Sequence, residues 1–322
     1  MADSTTSSAY GGSGPFVMGI SWAQAAVGTL LVILRAFAAR THSGSLRWDF
    51  LLIAAAMPAS LISQVLLTLA CLHGAGNHLA NIHRLDDLWD SIEYTMLGLT
   101  VGTFAITLAK LSIVALLLQV TPVTAPKDRS LLWFVGIFVT LVNIAESLTT
   151  LTQCSPMSRL WYRLEAGACP RTGIATRFSY FQGAIAVFAD LFLAVYPTTI
   201  VWSLQLSTRT KIGFCVLMAG GFLPAVAGIM RCLYTQRLNS TADITSELRP
   251  FITWAITELW FVIILGSIPP LRPLFERVIL GRTTQHKSKG TSGSFPQASG
   301  TLNKREGGSK NIQTTIVAVN NA

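Results

Sequence analysis

The sequence predicts an all-α fold, a bundle of seven transmembrane helices, on three observations. Apolar residue types make up 51% of the 322 residues and charged types only 12%, about half the charged share of a soluble domain. Residues 4–34 and 50–83 contain no Asp, Glu, Lys or Arg, and about 20 apolar residues in a helix cross a bilayer core. The apolar runs do not alternate with period two, so transmembrane strands are not predicted. This composition excludes an ordinary cytosolic enzyme.

Seven apolar segments are each long enough to span the membrane, and most of the later ones contain a single ionisable residue. The predicted spans are residues 16–37, 50–71, 94–118, 131–151, 179–203, 212–234 and 251–271. The first is not predicted to be a cleaved signal peptide, because no basic residue precedes it and its apolar stretch is too long. Together the spans form a membrane domain over residues 16–272, resident in the plasma membrane or an endomembrane.

The chain ends are predicted to lie outside this domain. Residues 1–15 are rich in Ser, Thr and Gly and are expected to be disordered, as is the basic, polar segment 281–322. Between them, apolar residues recur at helical spacing after a cluster of prolines, and they predict a short interfacial helix over residues 273–280. The alternative is a plain continuation of the seventh helix.

The distribution of basic residues predicts the orientation of the bundle. With the N-terminus outside and the C-terminus in the cytosol, 14 Lys and Arg residues lie on the inner side and 7 on the outer side, as the positive-inside rule requires. The chain's sole glycosylation sequon, Asn239-Ser240-Thr241, then falls on the outer side. The segment from residue 273 onward supplies +5 of the net charge of +9, so the charge does not indicate a nucleic-acid partner.

Two cysteines share one predicted outer loop. Cys154 and Cys169 are expected to pair there, because an oxidising compartment favours disulfides; the alternative is two unpaired thiols. The other cysteines, Cys71, Cys215 and Cys232, lie in or at the ends of spans and are expected to be free packing residues.

The third to seventh spans each contain one ionisable residue: Lys110, Glu146, Asp190, Arg231 and Glu258. A charge at the centre of a membrane helix costs at least about 2.5–3.5 kcal/mol, so these side chains are expected to face the bundle and to form at least two acid–base pairs. Arg231 is expected to pair with Glu258 or Glu146, because all three lie in the outer half of the bundle. The functional interpretation is a ligand pocket formed by Lys110, Glu146, Arg231, Trp254 and Glu258. The alternative interpretation is an ion-pair network that only fixes helix packing.

A second polar cluster precedes the third span. His73, His78 and His83 are followed by several acidic residues, and imidazole with carboxylate can bind zinc or copper. The histidine spacing matches neither one helix face nor a known ligand motif, whereas Leu85, Leu88, Trp89 and Ile92 recur as in a short amphipathic helix. A solvated acidic helix without a metal is therefore the prediction.

Two missing features bear on light sensing and on G-protein coupling. A retinal protein needs a Schiff-base lysine in the seventh helix, and Lys110 in the third is the sole lysine within a span. No retinal and no other cofactor are therefore predicted. The third helix ends Leu117-Leu118-Gln119-Val120, without the acidic-Arg-aromatic triplet of rhodopsin-type receptors. A rhodopsin-type G-protein-coupled receptor is therefore not predicted.

An ordered set of motifs resembles one family. The segments that carry the resemblance are Gly74-Ala75-Gly76-Asn77-His78, Lys110-Leu111-Ser112-Ile113, Cys154-Ser155-Pro156 with Trp161 and Cys169, Asp190 with Pro197, Arg231, and Glu258 followed by Ser267-Ile268-Pro269. Over residues 16–273 the chain resembles the fungal rhodopsin-domain integral membrane proteins, which include satratoxin-cluster and receptor-like members. It departs from the family at Trp48-Asp49, where many members carry two acids. The resemblance implies a seven-helix fungal membrane protein and does not imply light sensing.

Two classes of function are consistent with these features. The first is a receptor-like or accessory membrane protein that binds a small, lipophilic ligand and belongs to a secondary-metabolite pathway, as the resemblance implies for some members. The second is an intramembrane enzyme, cyclase- or isomerase-like, in which Asp190 or Glu258 donates a proton to a lipophilic substrate. Besides the lipid bilayer, such a ligand is the expected partner.

Overall fold

Seven α-helices form the part of the chain that the structure describes. The structure is a computed structural model that describes residues 14–42, 47–78, 84–162, 164–203, 208–240 and 244–280. Side chains at residues 14, 41–42, 198–203, 208–219, 237–240, 244–246 and 272–280 lie outside this description. The helices are α1 (Gly14–His42), α2 (Trp48–Leu72), α3 (Leu85–Val120), α4 (Pro126–Leu151), α5 (Thr172–Ser203), α6 (Thr208–Ser240) and α7 (Ile244–Leu280). These ranges contain no β-strand, so the all-α prediction is confirmed.

Within those ranges, six helices are long and apolar enough to cross a membrane: α1, α2, α3, α4, α5 and α7. The helix α6 carries basic residues near both ends, including Arg209 and Arg237, and is not among the six. All seven helices begin before their predicted spans, and five of them also end after those spans; α4 and α5 end at the predicted residues. The seven-helix architecture is thus confirmed, with the membrane-spanning character of α6 left as a prediction.

Two helices differ from the prediction. The expected amphipathic helix over 85–92 is the first part of α3, because Glu93 and Tyr94 introduce no Gly or Pro that would end the helix. Likewise α7 continues through Pro269 and Pro270 to Leu280, since prolines are tolerated in membrane helices where neighbours satisfy the freed backbone groups. Residues 273–280 are therefore helical, and their location in the membrane interface remains a prediction.

The bundle closes into a ring around α3. Helices adjacent in sequence pack together from α1–α2 to α6–α7, α1 packs against α7, and α3 also contacts α5 and α7. The most extensive helix contact is between α2 and α3, where Ser63 Oγ donates to the Gly98 carbonyl at 2.7 Å. A Cβ on Gly98 would lie 2.8 Å from Leu67 Cγ, so this contact requires the small residue.

The apolar packing has two centres. Between α1, α2, α3 and α7 the largest buried side chain is Trp260, whose indole N–H donates to Gln64 Oε1 at 3.1 Å. Between α3, α4 and α5 a smaller cluster surrounds Leu132 and Leu193. The outer face of α4, in contrast, exposes large apolar side chains as a lipid-facing helix does: Trp133, Phe134, Ile137, Leu141 and Leu148.

Several predictions fall outside the described part of the chain. The structure does not describe residues 1–13, His83 or residues 281–322. Asn239 lies in the last turn of α6, but its side chain and the sequon residue Thr241 are also outside the description. Glycosylation of Asn239 stays a prediction.

Candidate functional site

A cavity of about 550 Å³ lies inside the bundle and is lined by α2 to α7. The loop between α4 and α5 also lines it, through residues that include Cys154, Arg159 and Cys169. We call the end of the bundle that carries this loop the disulfide end. From there the cavity reaches as far as Lys110 on α3.

The cavity has one largely apolar wall and one polar wall. The apolar wall comes from α3 and α7 and contains Ile92, Met96, Leu99, Ile106, Leu248, Phe251, Ile256 and Leu259. Threonines on α3 do not add much polarity, because Thr100 Oγ1 and Thr103 Oγ1 donate to carbonyls of their own helix at 2.8 and 2.9 Å. The polar wall comes from α4, α5 and α6 and contains Asn143, Glu146, Ser147, Thr150, Thr176, Ser179, Gln182, Arg231 and Thr235.

Four charged side chains from four helices meet at the deep end of the cavity. Lys110 Nζ lies 2.9 Å from Asp190 Oδ1 and 3.9 Å from Glu258 Oε1, and Arg231 Nε lies 2.8 Å from Glu258 Oε2. We call Lys110, Asp190, Arg231 and Glu258 the cavity cluster. Its two bases and two acids balance, which removes most of the cost of placing charges at this depth.

Amide side chains extend the cavity cluster across the polar wall. Arg231 Nη2 donates to Gln182 Oε1 at 3.5 Å, Gln182 Nε2 donates to Asn143 Oδ1 at 2.9 Å, and Asn143 Nδ2 donates to Thr107 Oγ1 at 2.8 Å. The chain of hydrogen bonds connects α6, α5, α4 and α3. A network in which each member is held by the next has a fixed geometry, as a binding surface requires.

Glu146 differs from the other acids because it has no basic side chain bonded to it. Its Oε1 accepts hydrogen bonds from Ser179 Oγ and from Thr150 Oγ1. Its Oε2 is buried and has no hydrogen-bond partner among the described residues. Glu146 lines the cavity as a residue, while this oxygen is enclosed by the surrounding helices.

The α4–α5 loop is held in place at the mouth of the cavity. Cys154 and Cys169 are joined by a disulfide, and Ser155 and Ala168 exchange two backbone hydrogen bonds of 2.9 and 3.1 Å. The acidic start of α3 acts on this loop, because the Glu93 carboxylate raises the pKa of the Tyr162 phenol. The loop borders the cavity through residues that include Cys154, Arg159 and Cys169.

The comparisons with known proteins agree with this architecture. A model of the fungal rhodopsin domain matches residues 34–277. The chain belongs to the fungal rhodopsin-domain family. Together with the apolar helices, this makes it a multi-pass integral membrane protein.

Two curated relatives of this fungal rhodopsin-domain protein align with about half of it. A "SAT4 family membrane protein" of Emericella nidulans is 30% identical over 166 residues, 50% of this chain and 40% of the relative. A "Fugralins biosynthesis cluster protein 2" of Gibberella zeae is 22% identical over 169 residues, 49% of this chain and 41% of the relative. The chain thus spans less than half the length of either relative. No solved structure matches it.

The structure brings most of the predicted pocket residues of this family member together. Lys110, Glu146, Arg231 and Glu258 all line the cavity, and Trp254 does not. The cavity-facing stripe of α7 has Glu258 at one edge. At 3.6 residues per turn, Trp254 is rotated about 40° further from the centre of that stripe.

Asp190 also stays outside the cavity lining. Its Oδ1 is paired with Lys110, its other oxygen is buried without a hydrogen-bond partner among the described residues, and its side chain is 4% exposed. The predicted catalytic candidate therefore reaches the cavity only through the Lys110 ammonium group. Glu258, the second candidate, does line the cavity but is held between two basic groups.

A second ion cluster, near the opposite end of the bundle, was not foreseen from the sequence. Arg35 Nη2 lies 2.8 Å from Asp49 Oδ2, and Gln119 Nε2 donates to Asp49 Oδ1 at 2.8 Å. Ser112 Oγ donates to the Asp49 carbonyl at 2.6 Å, and Arg35 Nη1 donates to the Gly266 carbonyl at 3.2 Å. We call Arg35, Asp49, Ser112 and Gln119 the Arg35 cluster; it connects α1, α2, α3 and α7. The available signal was Arg35, which lies inside the first predicted span.

The histidines before α3 do not form a metal site in the described part of the chain. His73 Nδ1 lies 3.4 Å from Asp87 Oδ1, and its ring packs against Tyr94 with centroids 5.5 Å apart. Across the described ranges, no group of three or more His, Cys, Asp or Glu side chains is placed to bind a metal ion. His73 thus joins the end of α2 to the start of α3.

Proposed function

We propose that this fungal rhodopsin-domain protein is a receptor-like or accessory membrane protein that binds a small, largely apolar ligand in its cavity. The observation that supports this proposal is the cavity itself, whose apolar wall on α3 and α7 faces a polar wall that ends in the cavity cluster. Its volume of about 550 Å³ lies within the range of ordinary ligand sites. An amphipathic molecule can place its apolar body on one wall and its polar group on the other.

Acid catalysis by the predicted candidates receives less support from the geometry. Glu258 lies between Lys110 and Arg231, at 3.9 and 2.8 Å, so each of its two carboxylate oxygens already faces a basic group. Asp190 is paired with Lys110 and does not line the cavity. We therefore favour binding over the cyclase- or isomerase-like alternative.

We also infer an orientation and a pathway for the protein. With the N-terminus outside, the disulfide end faces the oxidising side of the membrane, where Cys154–Cys169 is stable, and the ligand enters from that side. The name of the Gibberella zeae relative, a biosynthesis cluster protein, supports a role in a secondary-metabolite pathway. A reporter fused after residue 322 is expected to be cytosolic; an extracellular signal would reverse the orientation.

The binding proposal is tested by filling the cavity. Ala255 lines the cavity on α7, so Ala255→Trp places a large side chain inside it. Ala55 is exposed on α2, so Ala55→Trp adds the same side chain on the outside of the bundle as a matched control. We expect mass spectrometry of small molecules copurified from a fungal host to find a species with the wild type and with Ala55→Trp that Ala255→Trp lacks. Equal retention by all three proteins would contradict the proposal.

A further inference from the structure

We propose that the cavity selects a neutral lipophilic ligand with a carbonyl oxygen, and that the Arg231 guanidinium group donates a hydrogen bond to this oxygen. This inference rests on the proposed function, because it requires that the cavity binds a small molecule. It goes further by naming the chemical class of the ligand and the residue that recognises it.

Arg231 keeps one end of its guanidinium group unpaired at the deep end of the cavity. Its Nε donates to Glu258 Oε2 at 2.8 Å and its Nη2 donates to Gln182 Oε1 at 3.5 Å, whereas Nη1 has no hydrogen-bond partner among the described residues. The buried side-chain atoms that lack a partner in this part of the chain are Arg35 Nε, Glu146 Oε2 and Asp190 Oδ2. Nη1 is not one of them, and Arg231 lines the cavity with a side chain that is 19% exposed. Nη1 is therefore open to the cavity.

The other basic group of the cavity cluster has no donor to spare. An ammonium group carries three hydrogens. Lys110 Nζ has three acceptors within 3.9 Å, namely Asp190 Oδ1, Glu258 Oε1 and the Ala186 carbonyl. Within the cavity cluster, Arg231 Nη1 is therefore the donor that remains for a ligand.

The acceptors of the cavity cluster that border the cavity already have partners. Glu258 faces Lys110 with Oε1 and Arg231 with Oε2, and the neighbouring Gln182 Oε1 accepts from Arg231. Asp190 Oδ2 has no partner among the described residues, but it is buried and Asp190 does not line the cavity. A guanidinium group donates and does not accept, so a carbonyl oxygen, which only accepts, matches this end of the cavity. An alcohol would bring an O–H for which the cluster has no unpaired acceptor at the cavity surface.

The charges around the cavity balance without a ligand. Three basic and three acidic side chains line it or pair with a lining residue: Lys110, Arg159, Arg231, Glu146, Asp190 and Glu258. A carboxylate bound to Arg231 would add a negative charge close to Glu258, and an uncompensated charge is costly at this depth. The group that binds to Arg231 is therefore neutral.

The apolar wall specifies the rest of the molecule. Leu99, Ile106, Phe251 and Leu259 line the cavity with side chains that offer no hydrogen bonds, so a polar body would lose its hydration there without compensation. The preferred ligand therefore carries its polarity in one place. Ketones and lactones with an apolar ring system meet both conditions.

Three probes with the same ring system and the same number of non-hydrogen atoms test the proposal: 2-acetylnaphthalene, 2-isopropylnaphthalene and 2-naphthoate. Equilibrium dialysis of the protein in lipid nanodiscs, with chromatography and ultraviolet detection, measures binding after subtraction of empty nanodiscs of the same lipid. We expect the acetyl probe to bind about tenfold or more tightly than the isopropyl probe, since a hydrogen bond to a charged group is worth that much. The carboxylate is expected to bind no more tightly than the isopropyl probe.

Variants then assign the preference to one residue. Arg231→Lys keeps a positive charge beside Glu258 and removes Nη1, so we expect the acetyl probe to lose its advantage over the isopropyl probe. Arg249→Lys makes the same change at an exposed arginine of α7 that does not line the cavity, and it should keep the advantage in full. If Arg231→Lys does not fold, Arg231→Met/Glu258→Met removes the same donor together with its partner and should show the same loss.

Infrared spectroscopy gives a readout that a purely structural role of Arg231 would not change. The probe is 2-acetylnaphthalene labelled with ¹³C at the carbonyl carbon. A hydrogen bond from a charged donor is strong and lowers the carbonyl stretching frequency relative to the probe in empty nanodiscs. We expect this shift with the wild type and with Arg249→Lys, and its loss with Arg231→Lys. An unshifted band for the probe bound to the wild type would contradict the proposal.

The outcomes separate the two proposals. If the acetyl and isopropyl probes bind equally and Ala255→Trp abolishes the binding of both, the cavity is a ligand site and the carbonyl specificity is wrong. Tighter binding of 2-naphthoate than of the acetyl probe would show that the site takes an anion, and would overturn the neutral ligand. An acetyl preference that persists in a folded Arg231→Lys protein overturns the assignment of Arg231.

Two further results concern the binding function itself. If Ala255→Trp binds every probe as the wild type does, the binding function fails along with the specificity. If no probe binds the wild type, the carbonyl specificity fails, and the copurification comparison of Ala255→Trp with Ala55→Trp decides the binding function separately.

Discussion

The cavity cluster and the Arg35 cluster both neutralise charged side chains inside the bundle, but their surroundings differ. Each places an Arg–carboxylate pair at 2.8 Å inside a membrane bundle. The Arg35 and Asp49 side chains are 3% and 5% exposed, and their remaining contacts are Arg47, a serine, a glutamine and a backbone carbonyl. Arg231 is 19% exposed and borders the cavity. An ion pair that borders a cavity can interact with a ligand, whereas one enclosed by helices can only hold those helices together.

The helices that each cluster connects support this distinction. The Arg35 cluster joins α1, α2, α3 and α7, the same four helices that share the packing around Trp260. The cavity cluster joins α3, α5, α6 and α7, where the cavity interrupts the packing. The first set of helices is a rigid half of the bundle. The second set surrounds the space that we assign to the ligand.

The largest expected effect comes from breaking the enclosed pair. Arg35→Met leaves Asp49 buried without its main partner, and the loss of one member of a buried pair costs about 3–5 kcal/mol of unfolding free energy. Arg47→Met is a matched control, because Arg47 Nε pairs with the same carboxylate at 3.3 Å but is 46% exposed. Its expected cost is at most about 1 kcal/mol. Thermal unfolding of the detergent-solubilised proteins compares the two; equal losses would show that the Arg35 cluster does not stabilise the bundle.

The next largest effect is expected at the disulfide end. Cys154→Ser opens a loop whose ends are 15 residues apart, which in the chain-entropy model costs about 3 kcal/mol. The Cys154→Ser/Cys169→Ser double variant should lose no more than the single variant, since both remove the same bond. Alkylation with intact-mass detection checks the bond directly. Both thiols reacting in wild-type protein isolated without reductant would contradict the disulfide.

How much of this could be predicted from the sequence differs between the two clusters. The helices were predictable because a bilayer demands long apolar segments, and the residues 50–83 contain no charge at all. Lys110 and Glu258 were predictable because each stands alone within such a segment. Arg35 lies inside the first predicted span but near its end, and Asp49 lies just before the second, positions where a charge is ordinarily solvated. Arg35 was therefore a weak signal, and nothing local indicates that Asp49 is enclosed.

The pairing of the charges could be predicted only in part, because it depends on which helices meet. Arg231 with Glu258 was one of the two expected pairs, and the structure contains it. Lys110 with Asp190 requires α3 to contact α5, and the sequence does not specify the order of helices around a ring. The exclusion of Trp254 has a similar cause. It lies one turn from Glu258 on α7, and only the rotation of the helix decides that one side chain lines the cavity and the other does not.

A smaller effect is expected when only the charge of one acid is removed from each cluster. Glu258→Gln should cost about 1–3 kcal/mol, because the amide oxygen still accepts a hydrogen bond and water in the cavity can solvate Arg231. Asp49→Asn is the matched change in the Arg35 cluster, where no cavity borders Arg35, and it should cost more. Chemical or thermal unfolding of both variants under one set of conditions measures the difference. A cost for Glu258→Gln equal to that of Asp49→Asn would remove the distinction between the clusters.

The smallest effect on stability is expected when both members of the cavity pair are replaced together. Arg231→Met/Glu258→Met removes two charges at once, and apolar residues of similar volume often replace a buried ion pair at little cost. Lys110 keeps Asp190 at 2.9 Å and the Ala186 carbonyl at 3.3 Å, so no charge is left without a partner. Arg231→Met alone should cost more than the double variant, because it leaves Glu258 with the more distant Lys110 as its one basic neighbour.

The same double variant separates packing from function. One strain carries the double variant in place of the wild-type gene, and a second strain lacks the gene. Metabolite profiling of the two strains reports whether the protein's function requires the Arg231–Glu258 pair. A stable protein with the metabolite profile of the deletion strain is the expected result, because the polar end of the cavity is lost while the fold remains. A stable protein with the wild-type profile would mean that Arg231 and Glu258 only hold α6 against α7.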